Sequence, residues 1–172
     1  LESISVALTA AETGHLVFAT LHTVDAAQSI DRIVDVFPPS QQGQIRTQLA
    51  GSLQGVLSQT LLRKRGGGRV VATELLKMTP AISHLVREGK SHQIYSMLQS
   101  GGEQGMHTMD QSLAALVRDG VVDYSEARDK ASDLASFESL ASRLVAESDP
   151  GERAETDMGL AFDDGFGDFV AD

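Results

Sequence analysis

Apolar residues recur every three or four positions through most of this chain, and one stretch breaks the rhythm. Ile4, Leu8 and Ala11 keep helical spacing up to Gly14, a residue suited to the left-handed cap that closes a helix. From Leu16 to Leu21 the apolar positions become continuous and rich in strand formers, between a glycine turn and the polar pair His22-Thr23. That pattern predicts a buried parallel strand presenting polar side chains at its carboxyl end. Asp25 then caps a predicted helix whose apolar set is Ile30, Ile33, Val34 and Phe37, and Pro38-Pro39 ends it. Ser40 begins a second helix, with Ile45, Leu49, Leu53 and Val56 on one side.

The period changes again near Gln59. Leu61 to Arg65, the triple glycine Gly66-Gly67-Gly68, and Arg69 to Leu75 predict a β-hairpin with a glycine tip. The triple glycine lacks the Gly-Lys-Ser/Thr ending of a phosphate loop and stands between two strands, so it is read as a turn. Four short helices are expected next. Thr79 and Pro80 open the first, with Ile82, Leu85 and Val86 apolar and Gly89 at its end. Ser91 to Gln99 forms the second, around Ile94, Met97 and Leu98. Asp110 caps the third, which carries Leu113, Leu116 and Val117 and stops at Gly120. Ser125 caps the last, through Ala127, Ala131 and Leu134 toward Val145. Beyond Pro150 the composition turns to Gly, Asp, Glu and Ala with isolated Phe162, Phe166 and Phe169, which predicts a disordered acidic tail.

Charge and composition narrow the field. The formal net charge is −10, but from Asp149 onward eight acids face only Arg153, leaving −3 for the preceding 148 residues. No basic stripe suits a phosphate backbone, so nucleic-acid binding is not expected. The chain has no cysteine, which excludes disulfides and thiolate zinc sites and fits a cytoplasmic setting. No apolar run approaches the roughly 20 residues of a membrane helix. Leu1 is not an initiator methionine and already lies within a helical pattern, so the chain is expected to be the carboxyl-terminal part of a longer protein.

Candidate chemistry gathers around the strand-like run. On a strand, His15 and His22 would stand roughly 23 Å apart at ~3.3 Å per residue and face opposite sides, so they cannot share a metal. His22 lies beside Thr20 and Thr23 at the end where a crevice is expected. Glu12, Thr13 and His22 could together address a phosphate or an activated water, since such work uses a carboxylate and an imidazole within reach. A structural histidine and a solvated last-turn glutamate fit the same spacing. Arg87 and Glu88 follow the apolar face of the Ile82 helix and are otherwise a solvated pair.

Several strings point further. T-G-H-L-V-F-A-T-L-H-T-V-D-A-A-Q-S-I-D-R-I-V-D-V-F-P, from Thr13 to Pro38, resembles the histidine box of the secretion-type hexameric ATPases. A-I-S-H-L-V-R-E (Ala81 to Glu88) resembles the carboxyl-terminal signature of their type IV pilus retraction branch, the PilT-type twitching-motility ATPases. I-Y-S-M-L-Q-S-G-G (Ile94 to Gly102) and G-M-H-T-M-D-Q-S-L (Gly105 to Leu113) are similar to the same branch. The resemblance covers about Leu1 to Ala131. Ser83, His84 and Val86 depart from the arginine, asparagine and isoleucine usual in the signature.

The resemblance implies an α/β fold: part of a RecA-like P-loop ATPase core with a hairpin (1–78), a helical carboxyl-terminal region (79–148) and the acidic tail (149–172). It implies a homo-hexamer on the cytoplasmic face of the inner membrane, peripheral and not inserted, that works on a platform protein there. ATP hydrolysis would drive pilus retraction and twitching. His22 and Glu12 become the catalytic candidates, with His22 sensing the γ-phosphate. His22, Thr20, Thr13 and His15 become the nucleotide-binding candidates. Ala81, Ile82, Leu85, Val86, Arg87 and Glu88 become a coupling signature. The cofactors implied are ATP and Mg2+. The magnesium ligands, phosphate loop and catalytic glutamate of the family are expected to precede Leu1, so these residues alone are expected to be inactive. A related secretion or accessory pilus motor is the alternative within the superfamily. A non-catalytic ring or adaptor subunit is the alternative outside it.

Overall fold

The computed structural model describes residues 2–148, with side chains as far as Ser142. Three helices come first: α1 (Glu2–Glu12), α2 (Ala26–Asp35) and α3 (Pro39–Ser52). The strands β1 (Gly55–Arg63) and β2 (Arg69–Lys77) form an antiparallel hairpin, in register from Gly55 opposite Lys77 to Arg63 opposite Arg69. Then come α4 (Pro80–Arg87), a 3-10 turn (Ser91–Gln93) and α5 (Ile94–Ser100). A second 3-10 turn (Gly102–Gln104) leads to α6 (Met109–Arg118), α7 (Tyr124–Arg128) and α8 (Leu134–Ser148).

The hairpin joins two cores. The larger is built from Ile30, Val34, Leu49, Ile82, Val86, Ile94 and Leu98, with Leu76 contributed by β2. The second gathers Met109, Leu113, Val122, Ala127 and Phe137 around Leu62 of β1 and Ala72 of β2. α4 and α5 thus pack with the first three helices, while α6, α7 and α8 form the second core. Period-2 alternation turns Ser58, Leu62, Ala72, Glu74 and Leu76 inward, and leaves Leu57, Leu61 and Val71 exposed on the opposite face. The tip needs three left-handed residues in succession, and Gly66, Gly67 and Gly68 supply φ of 80°, 104° and 80°.

Several boundaries differ from the sequence-based expectation, each for a local reason. α3 stops at Ser52 because Leu53 turns extended (φ −64°, ψ 132°), which moves Val56 from the helix face onto a strand that starts at Gly55, not near Gln59. α6 is capped by Thr108, not Asp110. The Thr108 hydroxyl accepts the Gln111 N–H and the Gln111 side chain accepts the Thr108 N–H, a reciprocal capping box. Asp110 is fully buried: its carboxylate accepts the N–H groups of Ser132 and Asp133 and the hydroxyl of Tyr95. That clamp interrupts the single helix expected from Ser125 toward Val145. Asp133 restarts the helix by accepting the N–H groups of Ala135 and Ser136.

The largest correction concerns Leu16 to Leu21, expected as a buried strand. Here it has no regular secondary structure, and Leu16 and Phe18 are 79 % and 89 % exposed. A buried parallel strand takes its hydrogen bonds and its cover from neighbours on both sides. Among the described residues the only strands are β1 and β2, and they pair with each other. The expected acidic tail, 149–172, lies outside the described residues.

Candidate functional site

The segment from Thr13 to Thr23 is anchored at both ends and bare in the middle. At its start α1 closes through Gly14 (φ 92°), with the Gly14 N–H on Ala11 O and the His15 N–H on Ala10 O, both at 3.1 Å. The Thr13 hydroxyl donates to Ala10 O at 2.9 Å, and His15 Nδ1 lies 3.1 Å from Thr13 Oγ1 and 3.3 Å from Ala10 O. A carbonyl can only accept, so Nδ1 is the donor in this contact.

Glu12 points another way. Its Oε2 accepts the side-chain amide of Gln48 at 3.0 Å, tying the end of α1 to α3 beside a shallow recess lined by Ala11, Thr47, Gly51 and Ser52. The structure therefore brings Thr13 to His15 and Glu12 to Gln48. Among the described residues no hydrogen bond or ion pair joins His22 to either. His22 and Thr20 are both exposed, and among the described residues neither makes a side-chain hydrogen bond. A cluster of Glu12, Thr13 and His22 is not assembled in this arrangement.

The far end is held by helix α2. Asp25 caps it, accepting the Gln28 N–H at 2.7 Å. Ser29 Oγ donates to Asp25 O at 2.8 Å, so the 2.6 Å contact between Thr23 Oγ1 and Ser29 Oγ has Thr23 as donor. The first helical N–H, that of Ala26, goes to Glu74 Oε1 at 2.8 Å. Sequence reasoning missed Glu74. Its signal was parity: a carboxylate between Ala72 and Leu76, on the strand side otherwise reserved for apolar residues.

The signature segment forms α4. Thr79 caps it by accepting the Ile82 N–H at 3.3 Å, and Pro80 occupies its first turn. Ile82 and Val86 are buried and Leu85 half-buried, so these three hold the helix in the larger core. Ala81, Arg87 and Glu88 face out, with Glu88 4.0 Å from Lys90. The departures at Ser83 and His84 fall on half-buried and exposed positions, while Val86 is a core residue.

Among the described residues no group of three or more histidine, aspartate or glutamate side chains could hold a metal ion. Glu12, the carboxylate just before the segment, is already engaged by Gln48. The donor set of the described residues does not fit Mg2+. No helix among the described residues is long and apolar enough to cross a membrane.

Residues 1–129 match the family described as Type II/IV secretion system protein. The chain belongs to that family. It is 56 % identical over 131 residues to the Pseudomonas aeruginosa protein named "Type IV pilus retractation ATPase PilT", covering 76 % of this chain and 38 % of the relative. It is 52 % identical over 137 residues to the Neisseria gonorrhoeae "Twitching motility protein", covering 79 % of this chain and 37 % of that protein. The chain thus spans under two fifths of the length of these relatives. Its fold matches the crystal structure of the pilus retraction motor PilT with bound ADP at a TM-score of 0.74 and 47 % identity, over 81 % of this chain and 39 % of that one. The α/β class, the hairpin and the helical carboxyl-terminal region belong to the same ATPase fold.

Proposed function

We propose that these residues belong to an ATP-hydrolysing motor subunit that drives type IV pilus retraction and twitching motility. The observation that carries the reading is the 56 % identity to a retraction ATPase over 131 residues, beside a family match over residues 1–129 that takes in both the histidine segment and α4. On this reading His22, exposed at the end of the irregular segment, meets the γ-phosphate of ATP. Thr20, Thr13 and His15 line the same nucleotide. Glu12 exchanges Gln48 for a water when the site assembles. Arg87 and Glu88, outward-facing on a firmly seated helix, pass the consequence of hydrolysis on.

The division into a core part (1–78), a helical output part (79–148) and an acidic tail (149–172) belongs to the same proposal. So do a homo-hexameric ring, a place at the cytoplasmic face of the inner membrane and action on a platform protein there. Magnesium would accompany the nucleotide, held by residues other than those described. No Gly-x-x-x-x-Gly-Lys-Ser/Thr string occurs in the 172 residues, which supports the expectation that by themselves they turn over no ATP.

The test places His22→Ala in the native gene product and measures ATP turnover and surface twitching. Loss of turnover by roughly a hundredfold, in the range a positioned proton-transfer or sensing group supplies, supports the role of His22. Unchanged turnover removes it. Normal twitching after deletion of the gene removes the pilus reading.

A further inference from the structure

Glu74 is 2 % exposed in the middle of β2, and its two oxygens serve two different helices. Oε1 accepts the N–H of Ala26, first residue of α2, at 2.8 Å. Oε2 accepts the N–H of Met109, first residue of α6, at 3.3 Å. A carboxylate at a helix amino end satisfies an otherwise orphaned donor and complements the dipole. This one does so for two helices at once, from a strand lying between them.

Starting the helices does not require it. α2 has its own cap in Asp25, and α6 has the Thr108–Gln111 capping box. Keeping the acid here is also costly. Burial pushes the Glu74 carboxyl above its ordinary range despite both N–H donors, and Asp25 and Asp110 push it the same way. Among the described residues, Glu74 is the side chain that bonds to both starts. Each start leads elsewhere: α2 begins three residues after Thr23, which is bonded to Ser29, and α6 begins beside Asp110, which clamps Ser132 and Asp133. The side of β2 facing α6 carries the same connection. Leu75 exchanges backbone hydrogen bonds with His107, and the Thr73 N–H goes to Ser112 Oγ at 3.1 Å.

We propose that Glu74 is a positioning residue that couples the histidine segment to the carboxyl-terminal helices, so that a displacement at Asp25–Ala26 is carried into Met109–Asp110. The meaning of that coupling in a motor rests on the function proposed above: a change at His22 would reach α6 and α8 through this carboxylate. The coupling itself is a property of the 172 residues.

Glu74→Gln keeps the volume and one carbonyl oxygen but sets an NH2 group against the second N–H, so one of the two ties is lost. The experiment reads amide hydrogen exchange on the full chain. Asp25→Ala perturbs the α2 start, and exchange is followed at Met109 to Ser112 in the native and Glu74→Gln backgrounds. The expected result is about a tenfold rise in the native background and less than about twofold in Glu74→Gln, the non-additivity of groups sharing one network. A merely structural Glu74 would give the same fold-change in both backgrounds, which overturns the proposal. So does no change at Met109 to Ser112 in the native background.

Should Glu74→Gln fail to fold, the reverse perturbation needs no variant at Glu74. Gln111→Ala loosens the α6 start, and coupling being reciprocal, exchange at Ala26 to Ser29 rises by a similar factor. Unchanged rates there overturn the proposal. ATP turnover enters neither arm, so failure of the coupling and failure of the ATPase reading remain separate results.

Discussion

Two stretches of this chain have the composition of strands, and they behave in opposite ways. The hairpin alternates, pairs along nine residues of each strand, and buries Leu62, Ala72 and Leu76 between two cores. The run Leu16 to Leu21 is the more continuously apolar of the two, yet Leu16 and Phe18 face outward without a ladder. Strand propensity describes a residue that fits a pleated, covered surface; the surface itself comes from neighbours. The hairpin carries its neighbour five residues away, across a glycine tip. The histidine run has helices on either side of it in sequence, and neither offers backbone groups to pair with.

The sharpest way to break that comparison is to remove one side chain from each stretch. Leu62 is 1 % exposed and packs between β1 and the α6–α8 core. Leu62→Ala should cost about 2–5 kcal/mol, the range for a fully buried leucine whose site cannot collapse. Chemical denaturation of the full chain measures it. A loss under about 1 kcal/mol would mean that the hairpin is no better held than the histidine run.

Next in size is Asp110, the polar clamp of the second core. Asp110→Ala leaves the Ser132 and Asp133 N–H groups and the Tyr95 hydroxyl without their acceptor. Burial pushes the Tyr95 hydroxyl up to about 12, so it remains a donor across the ordinary pH range. At roughly 1–3 kcal/mol for each orphaned group, softened by access to water, the expected loss is about 2–3 kcal/mol. Exchange should quicken first at Ser132 to Ser136. A loss confined to α6 itself would restore Asp110 to the simple capping role its sequence position suggested.

These residues show what was legible in the chain and what was not. The starts of α2 and α4 could be read directly, because Asp25 and Thr79-Pro80 act within their own first turns. The hairpin could be read from its glycines and alternation. Asp110 was misread because two good caps stand two residues apart, and only the packing of Ser132 against it decides which one caps. Glu74 escaped notice because its partners lie 48 and 35 residues away in sequence. The candidate site was legible as residue types and spacing. Its assembly was not, since nothing local tells Glu12 to bond Gln48 and not His22.

A smaller effect separates Glu74 from its apolar neighbours on β2. Its carboxyl lies above its ordinary 4.5, chiefly through burial. Between that value and the raised folded one, the folded chain keeps a proton that the unfolded chain has released. Stability contributed by this group therefore falls as pH rises through that window and is fully present below it. Glu74→Gln does not titrate, so the stability of the native chain relative to this variant should decline from about pH 4 upward and level off once both states are ionised. Taking the difference cancels the opposite trend from Asp119 and Asp133, whose carboxyls are held low by Arg118 and by Ser136 respectively. A difference that stays flat with pH would mean that the two N–H donors offset burial completely.

The smallest effect tests the histidine run itself. Phe18 is 89 % exposed, so truncation removes almost no buried area, and Phe18→Ala should change stability by no more than about 0.5 kcal/mol. A residue of that size at a covered position would cost about 3–5 kcal/mol, so the two outcomes are well separated. The measurement is best made at several protein concentrations. A small, concentration-independent change keeps the run as an unpaired segment, positioned at Gly14 and Thr23 and open between them. A loss above about 1 kcal/mol that grows with concentration would mean that copies of the chain lend each other the missing neighbour. The run and the hairpin would then differ only in where their partner strand comes from.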